Sequence, residues 1–440
     1  MPEKKVNSYL LVLPIFLGLF TIHYFTLRED TLILIAAYSV AFVGFLSSIK
    51  FADLSGKEIL ILGIVARMML FFSLPNLSDD FYRFIWDGRL IDLGINPFSH
   101  TPEFYMQGRV QFSSLSLDLY EKLNSQAYFT IYPPISQLLF WFSAALSPNS
   151  ITGSVFVLRL TLLFFEIGSL ILIVKLLKQT GLAVSNTMIY AFNPLVILEI
   201  TGNLHFEGVM LFFLLGFIFL FQKNKTKLSA LTISLGIATK LIPLMFLPFA
   251  LRKIKLNKSL VFYIIAGLGT VVLFMPFIDL QLIQGAAGSL DLFFRKFEFN
   301  SGLFFLFREV GYYKRGFDMI ANIGPWMSIS ALFLILFYSL LIIKKTTYLP
   351  TILITILFIQ LTLATTVHPW YIIPLIAFAA LSKFSFPIIW SFLIFLTYSG
   401  YSHSGFAHPF LIISIEYIVV IPLAIYEIVK FQRINYLKTP

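Results

Sequence analysis

The chain has 440 residues, 58% of them hydrophobic and only 12% charged, with no cysteine and a formal net charge of +10. Soluble domains carry about a quarter charged residues, so this composition excludes an ordinary water-soluble domain, and the missing cysteine excludes disulfides and Cys-type metal sites. The basic residues stand in short tracts between apolar runs, which is the positive-inside pattern of a membrane protein and not a nucleic-acid surface.

A membrane span needs roughly 20 mostly apolar residues. In chain order, spans are expected near 8–26, 31–49, 58–75, 131–147, 154–174, 186–199, 207–222, 228–250, 259–278, 320–343, 351–367, 371–382, 386–400 and 408–428. The start MPEKK mimics a signal peptide, but no small-residue cleavage site follows it and more spans do. Lys4, Lys5, Lys50, Lys57, the 223–227 and 252–258 tracts, Lys344, Lys345, Lys383, Lys430, Arg433 and Lys438 mark cytoplasmic ends. Both flanks of 228–250 then read as cytoplasmic, which one crossing cannot satisfy. Either Pro243 and Pro248 break that segment, or one of 131–147, 154–174 and 186–199 does not fully cross. Irregular backbone at membrane depth is tolerated only inside protein or beside a water-filled cavity, so a polar cavity is expected there. The fold class is all-α: a polytopic bundle of about 12–14 transmembrane or half-membrane helices, treated as one domain over 1–440. Two hydrophilic stretches, 76–130 and about 279–318, count to the external side.

Loop 76–130 holds seven acids, Asp79, Asp80, Asp87, Asp92, Glu103, Asp118 and Glu121. It begins SDDFYRFIWDGRLIDLGINPF. Ser78 is placed to N-cap a helix with Asp79 and Asp80 in its first turn, and Gly94 and Asn96-Pro97 to end it. Asp80, Arg83 and Asp87 share a face, so an amphipathic helix at the membrane surface is expected. A carboxylate there can act as a base, activating an alcohol that attacks a reactive carbon. One carboxylate suffices when the leaving group is already a phosphate, because phosphate needs no general acid; it does need positive charge beside it. The bland alternative for Asp79-Asp80 is complementarity to the helix dipole.

Arg83, Arg89, Lys240 and His368 are the candidate cations, with surface ion pairing or snorkelling as the plain alternative for the arginines and the lysine. Lys240 stands inside the apolar segment ATKLIPLMFLPF, and an ionisable residue buried in a membrane points to function. Three further groups fall on the same side: Tyr132-Pro133-Pro134, then Asn203, His205 and Glu207 in EITGNLHFEG, then His368-Pro369-Trp370-Tyr371. Tyr132, His205, Glu207 and Trp370 are candidate sugar or acceptor contacts, and Tyr371 joins the donor side; interfacial anchoring is the competing account of Trp370 and Tyr371. The six histidines fit no metal motif, and there is no phosphate-binding loop.

These stretches, with NPL before GNLHFEG and TTVHPWYIIPL near the end, resemble polyprenol-phosphate-dependent glycosyltransferases of the type C fold, in their bacterial mannosyltransferase-like branch. The similarity runs over roughly 60–400. It implies transfer of one sugar, of mannose type, from a polyprenyl-phosphate donor to a glycan, lipid or protein acceptor outside the cytoplasmic membrane. It implies inversion, with the catalytic Asp in the first large external loop. That Asp matches Asp80 or Asp79; Asp80 is favoured because it leads the Asp-Phe-Tyr-Arg run and shares a face with Arg83. The resemblance places His368, and less strongly Lys240, at the donor phosphate or sugar, and assigns no metal or other cofactor. A transporter or lipid-linked-glycan flippase is the competing class, disfavoured by the absence of repeated halves; a surface-polysaccharide polymerase or ligase is the other.

Overall fold

Apolar runs in a bilayer become helices because no water is present to bind their backbone polar groups. In the computed structural model, residues 2–108, 113–279, 281, 282, 285, 288 and 297–437 are described. Most of 280–296 in the expected second loop, Lys438, and the side chains of Lys4, Lys5 and Arg433 lie outside the described residues. Among the described residues, six helices are long and apolar enough to cross a membrane: Ser8–Phe25, Thr31–Phe51, Ile151–Thr180, Leu256–Phe277, Ile320–Ile342 and Phe410–Phe431. One further pair, Pro194–Gly202 and Glu207–Gln222, is long and apolar enough only when taken together, and is bent by 116°. Five shorter apolar helices complete the set: Pro134–Leu146, Thr226–Ile237, Leu349–Thr362, Pro369–Ala380 and Phe386–Gly400. The chain is an all-α, multi-pass membrane protein; the one sheet among the described residues is a hairpin of Tyr401–Ser402 and Gly405–Phe406.

The short and broken elements depart from the expected spans for identifiable reasons. The helix expected over 58–75 stops at Met68. Beyond it the carbonyls of Phe71 and Ser73 turn inward to the Arg159 guanidinium, which also takes those of Thr201 and Gly202, each at 3.0 Å. One buried arginine thus satisfies two chain ends that lipid could not. The segment 186–199 is interrupted at Asn193-Pro194, where the Asn193 side chain accepts from the amides of Leu195 and Val196 and restarts the helix. Its last turn, Ile197–Gly202, is widened to π geometry. Pro134–Leu146 has 13 residues, about 20 Å of helix against roughly 30 Å of hydrocarbon. The segment 228–250 breaks as well: its helix ends at Ile237, and a 3₁₀ stretch runs from Ile242 to Phe249 with Pro243 and Pro248 inside it. Prolines lack the amide that an α-helix would use.

The first-loop helix runs Asp80–Asp92, starting later than a Ser78 cap would place it; Asp79 holds the cap position, and Ser78 Oγ accepts from the Asp80 amide at 3.4 Å. Most of this helix is enclosed by protein. Phe81 and every residue from Arg83 to Leu90 are buried. Its polar face is covered because Arg83 pairs with Asp87 at 2.8 Å and donates to the carbonyls of Ser125 and Tyr128. Asp87 in turn accepts from Thr130 and Gln137. On the other side Phe84 stacks on Phe140 at 4.6 Å. Gly88 permits that approach, since a Cβ there would stand 2.3 Å from the Phe140 carbonyl oxygen.

Candidate active site

The break between Gly202 and Glu207 brings its residues under the first loop. Leu204 adopts φ 66°, a left-handed conformation that is rare for a branched side chain, and Asn203 fastens the turn by bonding the Leu77 amide and Glu199 Oε2. Phe206 then packs edge-on against Phe84 and Phe140. Glu207, the first residue of the next helix, therefore lies near the start of the Asp80 helix.

The two acids of the doublet face different partners. Asp79 forms an ion pair with Arg28, 2.6 Å away on the connection between the first two helices. Asp80 forms no ion pair among the described residues: Asn124 donates to its Oδ1 at 2.8 Å, and the Tyr132 hydroxyl reaches its Oδ2 at 3.5 Å. Burial raises the Asp80 carboxyl above the usual carboxylate range; Asn124 and Lys240 oppose this, and Asp79 adds to it. The fold thus distinguishes two acids that are adjacent in sequence.

Lys240, at the break after Ile237, donates to buried Glu207 while its own side chain remains 16% exposed. Its ammonium lies 6.0 Å from the Tyr371 ring. Tyr371 meets His368 edge-on at 5.3 Å. His368 begins a stack: its ring lies 4.3 Å from Trp370 on one face and 4.6 Å from Phe299 on the other. Trp370 in turn covers His205 at 3.6 Å. Beside His205, Glu199 accepts from Asn203 and from Tyr398 at 2.8 Å.

Of the residues singled out in the sequence, the structure gathers Asp80, Tyr132, His205, Glu207, Lys240, His368, Trp370 and Tyr371 into one polar, aromatic centre. It turns three aside. Asp79 goes to Arg28, Arg83 to Asp87 and the loop carbonyls, and Arg89 to the Ser114 carbonyl at 2.7 Å. Burial lowers Arg89 from its usual value. Arg28, Asn124, Glu199 and Tyr398 belong to the centre or its rim and were not singled out. Glu199 carried a signal, a lone acid in the apolar run NPLVILEITG; Asn124 carried none. No group of three or more His, Asp or Glu side chains among the described residues is arranged to hold a metal.

These elements are one constellation: a carboxylate without a salt bridge, a lysine–glutamate pair at a helix break, and an aromatic wall. A family model described as alpha-(1->6)-mannopyranosyltransferase, N-terminal domain, matches residues 27–254. No curated protein matches the chain. The matched stretch includes Arg28, Asp79, Asp80, Tyr132, His205, Glu207 and Lys240, while His368, Trp370 and Tyr371 lie beyond it. With just over half of its length matched, the chain belongs to the alpha-(1->6)-mannopyranosyltransferase family and is a membrane glycosyltransferase of mannosyltransferase type.

Proposed function

We propose that the protein moves a single mannosyl residue from a polyprenyl-phosphate donor to a glycan acceptor at the external face of the cytoplasmic membrane, with Asp80 as the base. The observation that carries this reading is the position of Asp80: a carboxylate without an ion pair, within electrostatic reach of Lys240. Asp80 takes the proton of an acceptor hydroxyl, whose oxygen attacks the anomeric carbon. The bond from that carbon to the phosphate oxygen breaks, and the polyprenyl phosphate leaves with the electron pair and unprotonated. Lys240 provides positive charge beside it. His368 and Tyr371 line the donor side. Tyr132, His205, Glu207 and Trp370 contribute the sugar and acceptor surface. Arg83 and Arg89 bind the loop's own carbonyls and so hold the loop over the site.

One displacement inverts the anomeric carbon. An α-(1→6) product then requires a β-configured donor, and the α-configured lipid-linked sugar should be inert. A lipid-borne donor enters sideways from the bilayer, which suits a centre at the breaks of short helices. Asp80→Asn tests the reading in membranes supplied with labelled polyprenyl-phospho-mannose and an α-(1→6)-mannose oligomer. Transfer should fall by roughly 100- to 10,000-fold, the usual worth of a positioned base, at an unchanged protein level. A wild-type rate in Asp80→Asn would sink it. Uptake of substrate into proteoliposomes without a covalent product would favour the transporter class instead.

A further inference from the structure

The sequence offers two adjacent acids, and the reading above uses one. What separates them is Arg28, 51 residues earlier in the chain. Its Nη1 bonds Asp79 at 2.6 Å and its Nε bonds Glu29 at 3.2 Å. Its guanidinium lies 5.2 Å from the Tyr401 ring, a cation–π distance. Tyr401 is itself fixed against the same connection, its carbonyl accepting from Thr31. Arg28 is therefore held on three sides, with 30% of its side chain exposed against 38% for Asp79, so water screens the pair in part.

We infer that Arg28 is a positioning residue that selects Asp80 as the base by drawing Asp79 aside and offsetting part of its charge. The inference rests on the reading of Asp80 as the base. Two carboxylates on consecutive residues oppose each other's ionisation. Without Arg28, the Asp79 charge would act on Asp80 unopposed, and the base would be protonated at a pH where the reaction needs it free. The other charged or titratable groups electrostatically coupled to Asp80 are Lys240 at the helix break, Glu199 and Glu207 from the bent pair, Tyr132 before the Pro134 helix, Tyr371 from the HPWY turn, and Tyr398 and Tyr401 near the hairpin. None of these is changed by the substitutions below.

The test is a charge cycle read on the pH dependence of mannosyl transfer by the full-length protein in membranes, with polyprenyl-phospho-mannose as donor. Arg28→Gln leaves Asp79 charged and uncompensated, so the acid limb should move to higher pH by about 0.5–1 unit, the size expected for a unit charge a few ångströms off at a partly exposed site. Asp79→Asn leaves Arg28 uncompensated, so the limb should move to lower pH. The double variant removes both charges and should return the limb close to that of the wild type, and Arg28→Lys should hold it there. A uniform loss of rate in Arg28→Gln, with the limb unmoved, overturns the inference and leaves the base reading standing if Asp80→Asn is inactive. An active Asp80→Asn overturns both. Should Arg28→Gln fail to accumulate, Asp79→Asn decides alone, because a limb that stays in place or rises contradicts the idea.

Discussion

At the scale of single residues, the centre separates groups that act from groups that hold. As the proposed base, Asp80 must be deprotonated to act, so on that reading activity should be lost as pH falls through its raised pKa. The acid limb of the wild-type rate profile should therefore lie above about pH 4, the ordinary carboxylate region, and stay there across donors of different lipid length. Arg83 is a holding residue. Arg83→Ala would strand buried Asp87 without its partner, which costs about 3–5 kcal/mol in measured cases; a lower thermal midpoint in detergent should accompany any loss of rate. Lys240 separates the two roles differently, since Lys240→Gln also strands Glu207. The double change Lys240→Gln with Glu207→Gln should recover stability but not transfer. Wild-type transfer in the double variant would show the pair to be structural. The residue types of this centre were legible in the sequence, because ionisable and aromatic groups flanked by apolar runs stand out. Their partners were not. The face shared with Arg83 favoured Asp80 over Asp79, but the partners that set them apart, Arg28 and Asn124, are distant in sequence and left no local mark. Arg83 and Asp87 were visible as one face of a helix, but the carbonyls that cover that face come from residues 125 and 128.

At the scale of elements, the long helices follow from composition alone, whereas the short ones end where a particular side chain intervenes. Six apolar runs were long enough to be read directly. The early stop at Met68 and the end of the widened turn at Gly202 both depend on Arg159, whose partners no local pattern reveals. Pro243 and Pro248 did leave a local mark, so a break within 228–250 was legible while its geometry was not; the break at Asn193-Pro194 was not read from the sequence. Removing the guanidinium with Arg159→Met should leave several buried carbonyls unpaired at about 1–3 kcal/mol each. A lower thermal midpoint is the expected outcome, with transfer impaired even below that temperature because the turn carrying His205 and Glu207 loses its anchor. Gly88→Ala probes the neighbouring contact. The added methyl cannot coexist with the Phe140 carbonyl, so the Asp80 helix must shift, and transfer should fall more than expression does.

At the scale of the whole molecule, the alternation of basic tracts predicts which surfaces face which compartment. The chain has no cysteine, so each introduced thiol is a unique reporter. A cysteine replacing exposed Asp118 should react with a membrane-impermeant maleimide in intact spheroplasts. One replacing exposed Asn257 should react only after the membrane is opened. The reverse pattern would place the Asp80 centre on the cytoplasmic side and remove the need for a lipid-borne donor.

The aromatic stack joins parts of the chain that are far apart in sequence. Cutting between residues 254 and 255 would leave Asp80, Glu207 and Lys240 on one fragment, and Phe299, His368, Trp370 and Tyr371 on the other. His205 would lose the indole that covers it, and His368 would lose its tie to the bent pair. Neither fragment should transfer sugar by itself, while the two expressed together should regain activity to the extent that the rings find each other again. A hybrid with a relative's second half would meet the same demand. It would have to supply an aromatic surface matched to His205, so compatibility at this one seam, more than overall likeness, should decide which hybrids work.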